Sequence, residues 1–181
     1  MSRIQPIAAE SASPETQTLL GEVKAKFGMT PNVMATMGHS AAVLEGYLNF
    51  SGALAKGVLS ARLREQIALA VGQANSCEYC LSAHTASGKR IGLSTEEMAN
   101  NRRGVASDPK AAVALRFAQD LVIQRGEVDD AALRRLRGAG YTETEIVEIV
   151  ANVAVNIFTN YFNHVAQTDV DFPRVTPALA A

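Results

Sequence analysis

The chain has 181 residues, enough for one sizeable core, with 48% hydrophobic residues but only 6% aromatics and no Trp, a balance that favours helices packed through Ala, Leu, Val and Ile. With 17 Lys and Arg against 18 Asp and Glu the formal net charge is −1, and no long basic run supplies the footprint that a nucleic-acid partner requires. MSRIQPIAAESASPET has no signal-type apolar core, and the apolar stretch from Ile146 to Phe158 is broken by Glu148, Asn152 and Asn156, so no membrane segment is expected and a cytoplasmic location is the simplest.

The periodicity predicts helices throughout. PETQTLLGEVKAKF, Pro14 to Phe27, places Leu19, Leu20, Val23 and Phe27 at helical spacing and ends at Gly28. TPNVMATMG reads as a helical turn, with His39 beyond it as a turn or cap residue, and Ser40 to Lys56 as a longer helix before Gly57. Ser60 is the expected N-cap of LREQIALAVGQAN, since its hydroxyl can accept from free first-turn amides. A helix from about Ser76 to Arg90, closed by Gly92, follows; Ser94 or Thr95 caps a short one at TEEMANNR. Pro109 to Arg125 and Asp129 to Gly138 are the next two helices.

Thr142 and Glu145 form a T-x-x-E capping box for the long last helix ETEIVEIVANVAVNIFTNYFNHVAQ. No stretch alternates as a strand and no hairpin dipeptide occurs, so the fold class is all-α. One domain over 1–181 is expected, with extended segments at 1–13 and 171–181, the latter lying over the surface or a neighbouring subunit. LSARLREQIALAV and YTETEIVEIVANV share a cap and a length, as a degenerate internal repeat does and as any two capped amphipathic helices do.

NSCEYCLSAH holds both cysteines of the chain. On a helix Cys77, Cys80 and His84 stand at i, i+3 and i+7, on one face. A C-x-x-C pair at a helix start comes within disulfide range, and free N-terminal amides favour the thiolate. His84 is placed to accept a proton near neutral pH. Glu65, on the preceding helix, meets His84 if the chain returns antiparallel, and would then orient the imidazole and favour its protonated form. Zinc is the competing use of two Cys and one His, but a closed site needs a fourth ligand and one helix does not wrap a tetrahedral ion, so no metal is expected. His164, in TNYFNHVA, is either a second-shell partner or a helix-end histidine; Asn156, Asn160 and Asn163 suit interface or interhelical hydrogen bonding, and Arg102, Arg103 and RRLRG solvated faces.

E-x11-C-x2-C-x3-H, realised as Glu65, Cys77, Cys80 and His84, resembles the core of the AhpD-like alkylhydroperoxidases of the carboxymuconolactone decarboxylase superfamily. The PN of TPNVMATM, the RGEVDDAALRRLRGAGYTETEIVEIV stretch and TNYFNHVAQTDVDFP resemble its peroxidase-related branch, over roughly Phe27 to Pro173. The resemblance implies an all-helical, cofactor-free bundle assembled as a homo-trimer or homo-hexamer. It implies that Cys80 is the peroxidatic thiolate, that Cys77 resolves its sulfenic acid to a disulfide, and that Glu65 and His84 relay protons. A lipoyl-bearing or thioredoxin-like dithiol is then the expected reductant of the pair. Tyr79 stands where alkylhydroperoxidase D has histidine between its cysteines; a phenol is no base near pH 7, so it is expected to donate a hydrogen bond or pack at the site. A thiol-disulfide adaptor or sensor and a carboxymuconolactone decarboxylase-like enzyme are the alternative functions, the latter having no need of C-x-x-C.

Overall fold

The computed structural model describes residues 1–178. Among them a short 3-10 turn, Ala9–Ser11, precedes nine α-helices and there is no strand. They are α1 (Pro14–Phe27), α2 (Asn32–Met37), α3 (Ala41–Leu54), α4 (Ala61–Ala74), α5 (Glu78–Arg90), α6 (Thr95–Asn101), α7 (Pro109–Ile123), α8 (Asp130–Gly138) and α9 (Glu143–Ala166). The all-α expectation holds because nearly every start signal is used. Ser13, Ser40, Ser60, Ser94, Asp108 and Asp129 each accept an amide of the following turn, and Thr142 with Glu145 closes the capping box of α9. Each such cap contributes about 1 kcal/mol.

Helix α4 is the axis of the molecule, packed against α5, α7 and α9 and buried without interruption from Gln66 to Gly72. One core joins it to α7, α8 and α9 through Ile67, Leu115, Leu136 and Ile149, each side chain contributing roughly 1.5–3 kcal/mol by leaving water. A second core gathers Leu20 and Val23 of α1, Met37 of α2 and Leu44 of α3 around Cys77, Tyr79 and Cys80. The cysteine motif is therefore wedged into an apolar core. The loop into α4 is held from α9, where the Glu148 carboxylate accepts from the amides of Val58 at 2.9 Å and Leu59 at 3.1 Å.

Both terminal segments lie on this chain's own helices. Arg3 and Ile4 donate to the Ala166 carbonyl at the end of α9, and Ile7 to that of Ala35; His39 Nε2 also meets the Gln5 carbonyl at 2.9 Å, so the turn histidine fastens the N-terminal segment. Within the segment expected to be extended, Ala9–Ser11 forms the 3-10 turn. At the other end Val175 donates to Ser82 Oγ at 2.9 Å, Arg174 pairs with Glu78 at 3.0 Å, and Arg102 reaches the Thr176 carbonyl at 2.7 Å. Arg102 also donates twice to Gln73 Oε1, so it is a tie rather than a solvated residue. Residues 179–181 of the expected C-terminal extension lie outside the described residues. No described helix is long and apolar enough to cross a membrane.

Candidate functional site

The chain doubles back sharply between α4 and α5. Ser76 takes a left-handed conformation, φ 54°, and Cys77 N–H donates to the Gly72 carbonyl at 2.9 Å. The reversal moves the expected helix start from Ser76 to Glu78 and makes Cys77 the N-cap, its sulfur accepting from the Cys80 amide at 3.3 Å. Cys77 and Cys80 are joined as a disulfide with Cα atoms 5.3 Å apart. The antiparallel return brings His84 onto Glu65, with Nδ1 2.8 Å from Oε2.

The two sulfurs are placed differently. Cys80 and His84 line a cavity of about 620 Å³, whereas Cys77 is 1% exposed and lies behind, among Leu20, Val23 and Val33. The cavity wall is apolar, with Phe27, Met34, Tyr47, Tyr79 and Phe172 on it, and Lys89, Arg90 and Arg174 stand at its edge. Burial opposes charging of the imidazole, but the Glu65 charge, its hydrogen bond and a further one with Asn156 together hold His84 above the ordinary histidine pKa.

Tyr79 is 5% exposed. Its hydroxyl accepts from the Val33 amide at 3.2 Å, and its ring stands edge-on to Phe172 with centroids 5.9 Å apart. Burial raises its phenol well above the ordinary tyrosine value; the Val33 amide opposes this, and the Asp171 carboxylate adds to it. Tyr79 is thus a neutral strut joining α5 to α2 and the C-terminal segment; it packs as expected, and toward Val33 its hydroxyl accepts rather than donates. His164 is exposed and absent from the cavity wall, which leaves it with the helix-end reading rather than a second-shell place.

Sequence reasoning missed one contact. Asn163 Nδ2 lies 3.4 Å from Cys80 Sγ. The interhelical role expected of the α9 asparagines holds at Asn160, which accepts from Asn75 at 2.8 Å, while Asn163 turns the same chemistry onto sulfur. A signal existed in the spacing: Asn152, Asn156, Asn160 and Asn163 recur on one buried face of an otherwise apolar helix. Nothing local in the sequence says which of them meets a cysteine. Among the described residues no cluster of three or more metal-ligating side chains occurs.

Residues 41–120, from α3 through most of α7, match the carboxymuconolactone decarboxylase family. An uncharacterized peroxidase-related protein from Ralstonia eutropha JMP134, an alkylhydroperoxidase AhpD core, is 26% identical with a TM-score of 0.83 over 94% of this chain and 92% of that one. The chain has the AhpD-like fold, and its central region matches the carboxymuconolactone decarboxylase family. The same AhpD-like fold is found in an uncharacterized peroxidase-related protein from Silicibacter sp. TM1040, 24% identical with a TM-score of 0.80 over 92% of both chains. It recurs in the debrominase Bmp8 in complex with 2,3,4-tribromopyrrole, at 19% identity and a TM-score of 0.75 over 94% of this chain and 92% of that one. No curated protein matches the chain. The bundle therefore places a disulfide, a carboxylate-imidazole pair and an apolar chamber at one point.

Proposed function

We propose that the protein reduces organic hydroperoxides with electrons from an external dithiol. The carrying observation is that Cys80 opens onto the same cavity as the Glu65 and His84 pair while its disulfide partner Cys77 sits behind it. In the reduced protein the Cys80 thiolate attacks the terminal oxygen of the hydroperoxide. The S–O bond forms, the O–O bond breaks, and the departing alkoxide takes a proton from the His84 imidazolium. Cys77 then attacks the sulfenic acid sulfur, water leaves, and the disulfide is formed. Two electrons and two protons from the external dithiol restore both thiols.

Cys80 is 3% exposed, so a reductant must enter the cavity to reach it. A lipoyl group on a slender arm suits that approach better than the folded surface of a thioredoxin-like protein. The same burial weighs against a thiol-disulfide adaptor, which exchanges disulfides across an open protein interface. A decarboxylase reading rests on the family alone and uses neither cysteine. Apolar residues on the cavity wall favour a hydroperoxide with a hydrocarbon body over hydrogen peroxide.

The test is stopped-flow oxidation of the reduced protein by cumene hydroperoxide. Oxidation of the parent should run orders of magnitude faster than that of a free cysteine and be lost in Cys80→Ser. A parent rate no higher than free cysteine overturns the proposal. Turnover of a lactone acid that survives removal of both cysteines moves the protein to the decarboxylase reading.

A further inference from the structure

Around Cys80 the polar groups are unequal. His84 turns Nδ1 to Glu65, Tyr79 turns its hydroxyl to Val33 and faces Asp171, Glu78 pairs with Arg174, and Lys89 and Arg90 stand at the cavity edge. Among the described residues, the side-chain donor on Cys80 Sγ is Asn163 Nδ2, at 3.4 Å. Asn163 lies on the cavity wall and is 5% exposed. Three residues earlier, Asn160 holds Asn75 at the entry to the cysteine turn, so α9 grips that turn on both sides of Cys77. Asn163 Oδ1 is buried without a partner. Among the described residues the hydrogen bond to sulfur is therefore the one polar contact of the side-chain amide, and its acceptor is left unmet.

We infer that Asn163 is a positioning residue for Cys80, its amide N–H stabilising the thiolate and holding the sulfur toward the cavity. In the disulfide the amide meets a neutral sulfur; on reduction it faces a full negative charge, where the same bond is stronger. A second consequence separates this role from packing. Leucine resembles asparagine in shape and carries no acceptor to strand, so Asn163→Leu removes the contact to sulfur together with an unsatisfied buried oxygen. Packing then predicts no loss of stability, while the role inferred here predicts a less acidic Cys80.

The inference rests on the reading of Cys80 as the nucleophile, and its test does not use peroxide. In a Cys77→Ser parent Cys80 is the sole thiol, and the rate of its alkylation by iodoacetamide against pH gives its titration midpoint. Asn163→Leu is expected to raise that midpoint by about one pH unit and to slow alkylation at pH 7 roughly tenfold, with a thermal midpoint no lower than the parent's. Asn163→Asp, which sets a charge beside the sulfur, is expected to raise it further, and Asn163→Gln to restore part of the parent value. An unchanged alkylation midpoint in Asn163→Leu, or in Asn163→Asp should the leucine variant not fold, overturns the inference. If the parent titrates as expected, and shifts in Asn163→Leu, yet does not react with cumene hydroperoxide, the hydroperoxidase reading fails and the role of Asn163 stands.

Discussion

The Glu65 carboxylate meets the His84 imidazole at 2.8 Å, across the turn that reverses α4 into α5. Both side chains are about one-quarter exposed, 24% and 28%, dry enough to couple and wet enough to exchange protons. Glu65→Gln removes the charge that holds the imidazole up and leaves burial to pull it down. The His84 pKa should then fall below the ordinary histidine value, read by NMR titration of the ring. A raised histidine pKa stabilises the fold fully below the unfolded value of about 6.5, and that stabilisation is lost as pH rises through the folded value. The parent should therefore exceed Glu65→Gln in stability by about 1 kcal/mol near pH 6, and by less at pH 9, in denaturant titrations. A gap that widens with pH contradicts the pairing.

Cys77 caps α5 with its sulfur, and serine is a good N-cap. Cys77→Ser should leave the reduced protein within about 1 kcal/mol of the parent and leave the first oxidation step intact. Without a resolving thiol, the Cys80 sulfenic acid should accumulate and be captured by dimedone, seen by mass spectrometry. Formation of the adduct on Cys77 in Cys80→Ser, and none in Cys77→Ser, reverses the two roles.

Val147, Phe158, Tyr161 and Val165 are 68%, 41%, 57% and 64% exposed on one face of α9, and Ala154 lies exposed between them. Such a stripe on the longest helix is suited to another apolar surface, in line with the expected trimer or hexamer. The chain of 19.2 kDa should sediment as an oligomer, and Val147→Glu with Val165→Glu should shift it to monomer. A parent that sediments as a monomer at micromolar concentration removes the expectation.

Gly57 sits under the Glu148 clamp, where an added Cβ would come within 2.4 Å of the carboxylate. Gly57→Ala must displace Glu148 from the Val58 and Leu59 amides and should cost about 1–2 kcal/mol in thermal or denaturant unfolding. An unchanged unfolding midpoint means that the clamp does not hold the loop into α4.

Much of this was legible in the chain. The Ser60 cap, the Thr142 and Glu145 capping box and the Gly28 stop are local signals, set by amides that need partners within one turn. The pairing of Glu65 with His84 is legible only as what an antiparallel return of the chain would allow and what the family motif implies; the left-handed turn at Ser76 that makes the contact has no signal of its own in the sequence. Asn163 reads from the sequence as an interface or interhelical residue and no more, since its partner is 83 positions away and its type alone names no target. His164 shows the converse, a chemically apt residue on α9 that the helix rotation turns to solvent.

The sequence by itself determined the helices, their order and the close cysteine pair, because capping, periodicity and C-x-x-C geometry act over a few residues. Only the tertiary structure decided which sulfur faces the cavity, which α9 asparagine touches it, and that the C-terminal residues Phe172 to Val175 close one side of the chamber. Those outcomes depend on how α4, α5 and α9 are rotated against one another. That rotation is fixed by apolar clusters filling at once, the pairing of α4 with α5 through Leu69 and Leu81 among them, a long-range condition that no short stretch of the chain contains.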